Sequence, residues 1–201
     1  MSDFTRNGFN GRVQPSLLER GEVVREPFAP VQRVLHWAMA VCILAMLFIG
    51  VGMVSTARPI SLGLVDVHRP LGILILLLVV VRLAVRARRG TPALPRDLPA
   101  GVKLGATLSH WLLYAAMISM PIIGWGMVSA AGLPVVMWGG FQLPPILPHS
   151  DALHAVLWDA HRIIAYLLFA LILLHVSAAL MHALIRRDGV FEAMAGGRPP
   201  V

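Results

Sequence analysis

Three stretches of this 201-residue chain are apolar for at least about the 20 residues that a helix needs to cross about 30 Å of hydrocarbon, and a fourth, the second in order, has a short charge-free core whose ends must lean on snorkelling arginines. The first is residues 34–54, closed by Ser55, Thr56 and Arg58-Pro59. The second begins near His68-Arg69-Pro70, where proline suits a first helical turn, and runs to Arg82 and Arg86. The third covers residues 104–130, with Pro121 expected to kink it. The fourth covers 157–185 and is ended by Arg186-Arg187-Asp188-Gly189. Residues 132–148 are also apolar, but Gly139-Gly140 and Pro134, Pro144, Pro145 and Pro148 break them into pieces too short to span. They read as an interfacial cap over one membrane face. The fold class that follows is an all-α membrane protein, a bundle of four transmembrane helices.

Composition agrees, and it narrows the function. With 57% hydrophobic and 13% charged residues and a mean hydropathy of +0.75, the chain is too apolar for a soluble domain of its size. A net charge of +7 could suggest a nucleic-acid binder, but here the basic residues cluster between apolar runs instead of sharing a polar surface. That pattern sets topology, and no nucleic-acid partner is expected. Thirteen of the seventeen Lys and Arg fall before the first run, between the second and third, or after the fourth. Only Arg58, Arg69 and Arg162 lie on the other side, with Arg82 inside a span. The positive-inside rule puts both termini and the connection between the second and third runs in the cytoplasm. The first residues have no early apolar core and do not form a cleavable signal peptide. Residues 1–29 read as a cytoplasmic tail with a disordered tip, 30–187 as the membrane domain and 188–201 as a cytoplasmic C-terminal tail. The only cysteine, Cys42, excludes a disulfide framework or thiolate cluster, and no C-x-x-C-H occurs to attach a c-type haem.

Histidines carry the chemistry. His161 and His175 are fourteen residues apart on the fourth span, which brings them to within about 40° of each other around the helix and about 21 Å apart along it. In the expected orientation His36 opens the first helix on the cytoplasmic side and His68 opens the second on the outer side. Depth therefore pairs His36 with His175 and His68 with His161. A single histidine at a membrane interface is often only a hydrogen-bonding helix end. Two depth-matched pairs sharing one helix are instead the donor set for two b-type haems with bis-histidine ligation, which suits electron transfer.

The remaining histidines compete for these roles. His110, opening the third helix level with the inner pair, is a candidate ligand or quinone-site residue. His154 shares a face with His161 and is the best substitute outer ligand, though placed in the loop. His182, beside Arg186, suits a snorkelling or propionate-contacting role, and His149 reads as a plain loop residue. Arg82 is fourteen residues after His68 and has no acid in its span, so an inner haem propionate is its expected partner, with snorkelling the alternative. Arg69 and Arg162, beside the outer histidines, would serve the outer propionates in the same way. Trp37, Trp111, Trp125, Trp138 and Trp158 fall near interfaces, and Gly50, Gly72, Gly124 and Gly126 are positions where helices or porphyrin edges can approach.

Several of these stretches resemble the bacterial cytochrome b-561 family. They are Pro30-Val31-Gln32-Arg33-Val34-Leu35-His36-Trp37, His68-Arg69-Pro70-Leu71-Gly72, Val80-Val81-Arg82-Leu83, His110-Trp111-Leu112-Leu113-Tyr114, Met120-Pro121-Ile122-Ile123-Gly124, and Trp158-Asp159-Ala160-His161 followed by His175. The resemblance covers about residues 30–187. It implies that His36 and His175 ligate the inner haem b, and His68 and His161 the outer one. It also implies electron transfer between a donor and the membrane quinone pool. Small stand-alone members include a superoxide oxidase that reduces ubiquinone, and related subunits anchor hydrogenases or dehydrogenases. An outer surface guiding superoxide should be electropositive, yet Arg58, Arg69 and Arg162 are formally balanced by Asp66, Asp151 and Asp159.

Three functions are then open. The first is a redox enzyme passing electrons from periplasmic superoxide to ubiquinone, within membrane lipid. The second is a cytochrome subunit relaying the electrons of a partner oxidoreductase. The third is a transporter using the histidines as a proton or metal-ion relay.

Overall fold

The computed structural model describes residues 27–57 and 59–196, so the expected tail before residue 27, and Arg58, lie outside the described residues. Helix α1 (Pro30–Ser55) starts on a proline, and the Gln32 side chain accepts from the Ala29 N–H at 3.1 Å to close its first turn. Helix α2 (Ile60–Arg89) stops at Gly90, whose φ of 71° needs a residue without a Cβ. Helix α3 (Ala100–Ala130) follows Pro99 and runs unbroken through Pro121. Strands β1 (Val135–Val136) and β2 (Gln142–Leu143) form a small antiparallel hairpin around a 3-10 turn at Trp138–Gly140. Helix α4 (Asp151–Leu180) is capped by the Ser150 hydroxyl, which accepts from the Leu153 N–H at 3.3 Å. A π-helical turn, Met181–Arg186, carries it further, and a short helix α5 (Val190–Ala195) closes the described chain.

The four long helices match the four apolar runs, and each is long and apolar enough to cross a membrane. All four begin earlier than hydropathy indicates, α2 and α4 by the most. Helix α2 starts eight residues before His68, so Pro70 sits buried inside the helix and not in its first turn. Helix α4 starts at Asp151, which puts His154 on the helix and not in a loop. His36, His68 and His110 likewise lie well inside their helices and do not open them.

Helix α1 packs along α2, α3 along α4, and α2 against α3, with Met39, Val79, Tyr114 and Met117 forming the buried core between the first three. Helices α1 and α4 bury few of their residues within the protein and carry many exposed apolar side chains, as lipid-facing helices do. The hairpin roofs one end, called here the cap face. It is tied to α3 by Trp125 Nε1 donating to the Pro144 carbonyl at 3.0 Å and by the Ile146 N–H donating to Ser129 Oγ at 3.2 Å. Residues 132–148 contain no Asp, Glu, Lys or Arg, while Trp138 and Phe141 stay exposed.

At the opposite, N-terminal face the segment expected to be a tail is folded back. Arg187 and Gly189, both in the left-handed region, reverse the chain, and α5 then lies against the start of α1. The Phe28 N–H donates to the Ala193 carbonyl at 3.0 Å and Trp37 Nε1 to the Met194 carbonyl at 3.3 Å. Asp188 holds this reversal. Its carboxylate accepts from His182 Nδ1 at 2.8 Å, Arg186 Nε at 3.0 Å and the Val190 N–H at 3.3 Å, while Arg186 also pairs with Asp97 at 2.5 Å. Burial alone would push the Asp188 carboxyl up, but the hydrogen bonds from His182, Arg186 and Val190 outweigh it and hold the group below the usual carboxylate range.

A native value below the unfolded one makes this contact stabilising above the ordinary carboxylate pKa of about 3.9, and the stabilisation is lost as pH falls through the lower native value. Amide hydrogen exchange across residues 188–196, corrected for its intrinsic pH dependence, therefore stays slow through mildly acid solution and accelerates only below about pH 4. In Asp188→Asn it is several-fold faster already at neutral pH. Unchanged protection in the variant would show that α5 is held by other contacts.

Candidate functional site

The eight histidines separate into two groups by what engages them. His149 Nδ1 donates to the Ala130 carbonyl at 2.9 Å and His154 Nδ1 to the Met127 carbonyl at 3.0 Å; a carbonyl only accepts, so Nδ1 carries the proton in both. His149 pins the segment before α4 to the end of α3, and so is more than a plain loop residue, while His154 ties the first turn of α4 to the same end. His154, the expected substitute ligand, is committed to a backbone carbonyl. His182 belongs to Asp188. The other five histidines meet one another instead.

His36 on α1 faces His175 on α4 with ring centres 6.1 Å apart and planes at 63°. His68 on α2 faces His161 on α4 at the same 6.1 Å, with planes at 61°. Helix α4 makes few close backbone approaches to α1 or α2, so each pair is a side-chain contact between helices that do not otherwise pack along one another. The Nδ1 atoms of His68 and His161 are buried without a hydrogen-bond partner. Gly124 on α3 gives the second pair room, since a Cβ there would stand 3.3 Å from His161 Cε1 and crowd the ring. Gly50, by contrast, has nothing within 4 Å and is not a close-approach position.

The surrounding cations differ from one face to the other. At the N-terminal face Arg82 is half-buried, donates through Nε to the Tyr114 hydroxyl at 3.1 Å and through Nη1 to the Gln32 carbonyl at 3.3 Å, and lies close enough to act on both His36 and His175. No carboxylate among the described residues balances it. Arg86 lies over the rings of Trp111 and Tyr114 at 5.7 and 5.6 Å. At the cap face Arg162 is exposed and paired with Asp159 at 3.0 Å, whereas Arg69, half-buried beside His68, has no carboxylate partner among the described residues. Tyr114 and Gln32 form the Arg82 cradle without having stood out as functional residues in the sequence. Tyr114 is one helical turn after His110, a spacing that puts both on one face of α3.

The sequence profile of prokaryotic cytochrome b561 matches residues 28–197. The chain belongs to that family. Among similar proteins, a probable superoxide oxidase, CybB, of Yersinia pestis is 32% identical over 64% of this chain and 72% of its own length. Cytochrome b561 homolog 2 of Escherichia coli K12 is 26% identical over 85% of this chain and 92% of its own, and homolog 1 from the same strain is 25% identical over 83% and 96%. The prokaryotic cytochrome b561 family is one of four-helix membrane proteins that transfer electrons with b-type haem.

The residues present fit that cofactor. Neutral imidazole is a good donor to haem iron. Two imidazoles on opposite sides of one metal, with bonds of about 2 Å and about 1.1 Å from each nitrogen to its ring centre, have centres about 6.2 Å apart. The observed 6.1 Å of both pairs matches. Unbalanced Arg82 and Arg69 supply charge of the sign that carboxylate side chains on a porphyrin require.

Proposed function

We propose that this cytochrome b561 binds two b-type haems, one between His36 and His175 and one between His68 and His161, and passes electrons from superoxide to ubiquinone. The single observation that carries the reading is the repeated 6.1 Å imidazole pair at two levels of α4, fourteen residues apart. One pair would serve a single electron-transfer centre. Two pairs about 21 Å apart along one helix suit a relay across a bilayer.

The Lys and Arg distribution supports an N-terminal face in the cytoplasm and a cap face in the periplasm. Bound haem supplies a one-electron carrier whose potential its surroundings tune. The protein's part is to hold and bias it. His68 and His161 orient the cap-side group, and Arg69, free of any carboxylate among the described residues, offers positive charge to an anionic donor or to a propionate. Arg162 is already neutralised by Asp159 and contributes less. Arg82, held by Tyr114 and Gln32, balances a propionate at the other level. In the overall reaction two superoxide ions each lose one electron to give two O2, and one ubiquinone takes those two electrons and two protons to become ubiquinol.

Purified haem-loaded protein in detergent, given superoxide and a short-chain ubiquinone, is expected to reduce the quinone well above the protein-free rate, and His68→Ala to abolish the gain. Absence of quinone reduction by a protein that holds both haems would overturn the superoxide role and leave a relay for a partner oxidoreductase. A preparation with no haem b absorption would leave the histidine transporter.

A further inference from the structure

His175 has two imidazole neighbours, not one. His110 on α3 approaches it with ring centres 5.4 Å apart and planes at 73°, closer than either 6.1 Å pair. Two rings bound to opposite sides of one metal cannot come that close, since the bonds alone hold their centres about 6.2 Å apart. The 5.4 Å contact is an edge-to-face packing of one ring on the other. His110 is therefore placed to touch an axial imidazole but not to replace His36 across from it.

The chemistry of the contact follows from the proton on His110. The Ala106 carbonyl stands one turn before His110 on α3; an N–H of the ring turned to it would leave the other nitrogen with its lone pair. A metal-bound imidazole has one N–H left over, and an acceptor for it fixes the ring's orientation and makes it a stronger donor to the metal. The cap-face pair has no equivalent among the described residues, because neither His68 nor His161 meets a third ring. The two levels of α4 thus differ in what stands behind their imidazoles.

We infer that His110 is a positioning residue for His175, orienting that imidazole and tuning the haem-binding level at the N-terminal face alone, and is neither a ligand nor a general structural contact. The inference rests on the di-haem reading above, through its assignment of His175. It concerns neither the electron donor nor the acceptor.

The test uses full-length, haem-loaded protein. His110→Phe keeps an edge-on ring without nitrogen, and His110→Gln keeps a polar acceptor. Haem per chain is measured first, then each haem's potential by redox titration, and the ferric state by electron paramagnetic resonance. Both variants are expected to hold two haems. In His110→Phe the haem that is missing from His36→Ala becomes roughly tenfold easier to reduce, a rise of about 59 mV, with an altered ferric signal. The other haem does not move, and His110→Gln lies nearer the wild type. Loss of one haem in both variants would make His110 a ligand, and unshifted potentials, or equal shifts of both haems, would make it a packing residue; either result overturns the inference. A wild-type protein that holds only one haem would instead sink the di-haem reading itself.

Discussion

On the proposed di-haem reading, His68→Ala and His161→Ala are each expected to bring the haem content from two per chain to one, and the haem that remains is the same in both. His36→Ala and His175→Ala also leave one, and it is the other. The expectation follows from which rings face each other. His68 and His161 stand at 6.1 Å on α2 and α4, His36 and His175 at 6.1 Å on α1 and α4, and neither member of one pair has a ring contact with a member of the other. A bis-histidine centre that loses one ligand keeps only part of its affinity, whereas the pair about 21 Å away along α4 keeps its whole donor set. Pyridine haemochrome assay gives the ratio, and low-temperature spectra of the reduced α-band identify the survivor. Survival of different haems in His68→Ala and His161→Ala would break the pairing. Loss of both haems in every variant would mean that the haems assemble cooperatively and not at separate sites.

The pairing was legible because helix geometry converts sequence spacing into direction and height. Fourteen residues on α4 return nearly to the same face, and once the arginines ordered the spans, height alone matched His36 to His175 and His68 to His161. The structure brings together those same rings. Helix ends were less legible, for a physical reason. Hydropathy measures the thickness of hydrocarbon, while a helix continues as far as its backbone hydrogen bonds are met. Helix α2 therefore extends back past Asp66 to Ile60, and Pro70 costs it only one N–H to a carbonyl one turn earlier. The Ser150 cap and the acidic Asp151 behind it mark the start of α4 in residues that a hydropathy window averages away.

What the sequence concealed depends on partners far away in the chain. Helix α5 has six residues, too few for any periodicity, and is held by Asp188, His182, Arg186 and Asp97. The carbonyls that engage His149 and His154 are nineteen and twenty-seven residues distant. No spacing rule reaches a backbone acceptor on another helix. The role of Gln32 is similarly tertiary: its side chain donates to the Gly90 carbonyl at 2.9 Å and its own carbonyl accepts from Arg82, joining the start of α1 to the end of α2. Nothing local distinguishes it from any polar residue in a first helical turn.

Gly124→Val removes the cap-side haem and spares the other. A Cβ at Gly124 would stand 3.3 Å from Cε1 and 3.6 Å from Nδ1 of His161, so alanine forces the ring or helix to give by a few tenths of an ångström. An axial ligand tolerates displacement of about 0.5 Å before its geometry is lost. Gly124→Ala is therefore expected to keep both haems, with a shifted potential for the cap-side one, and the gain of about 1 kcal/mol in helix propensity offsets part of the crowding. Valine adds two further carbons about 1.5 Å beyond the Cβ, pointing at a ring that is already in contact, and β-branching leaves them little freedom to turn away. The His161 ring must then leave the position in which it faces His68. Gly50→Ala is the control, because nothing lies within 4 Å of that site, and it keeps two haems with unchanged potentials. Two intact haems in Gly124→Val would show that α3 and α4 can separate enough to keep the ring in place. The close approach at Gly124 would then be a packing convenience and not a requirement of the site.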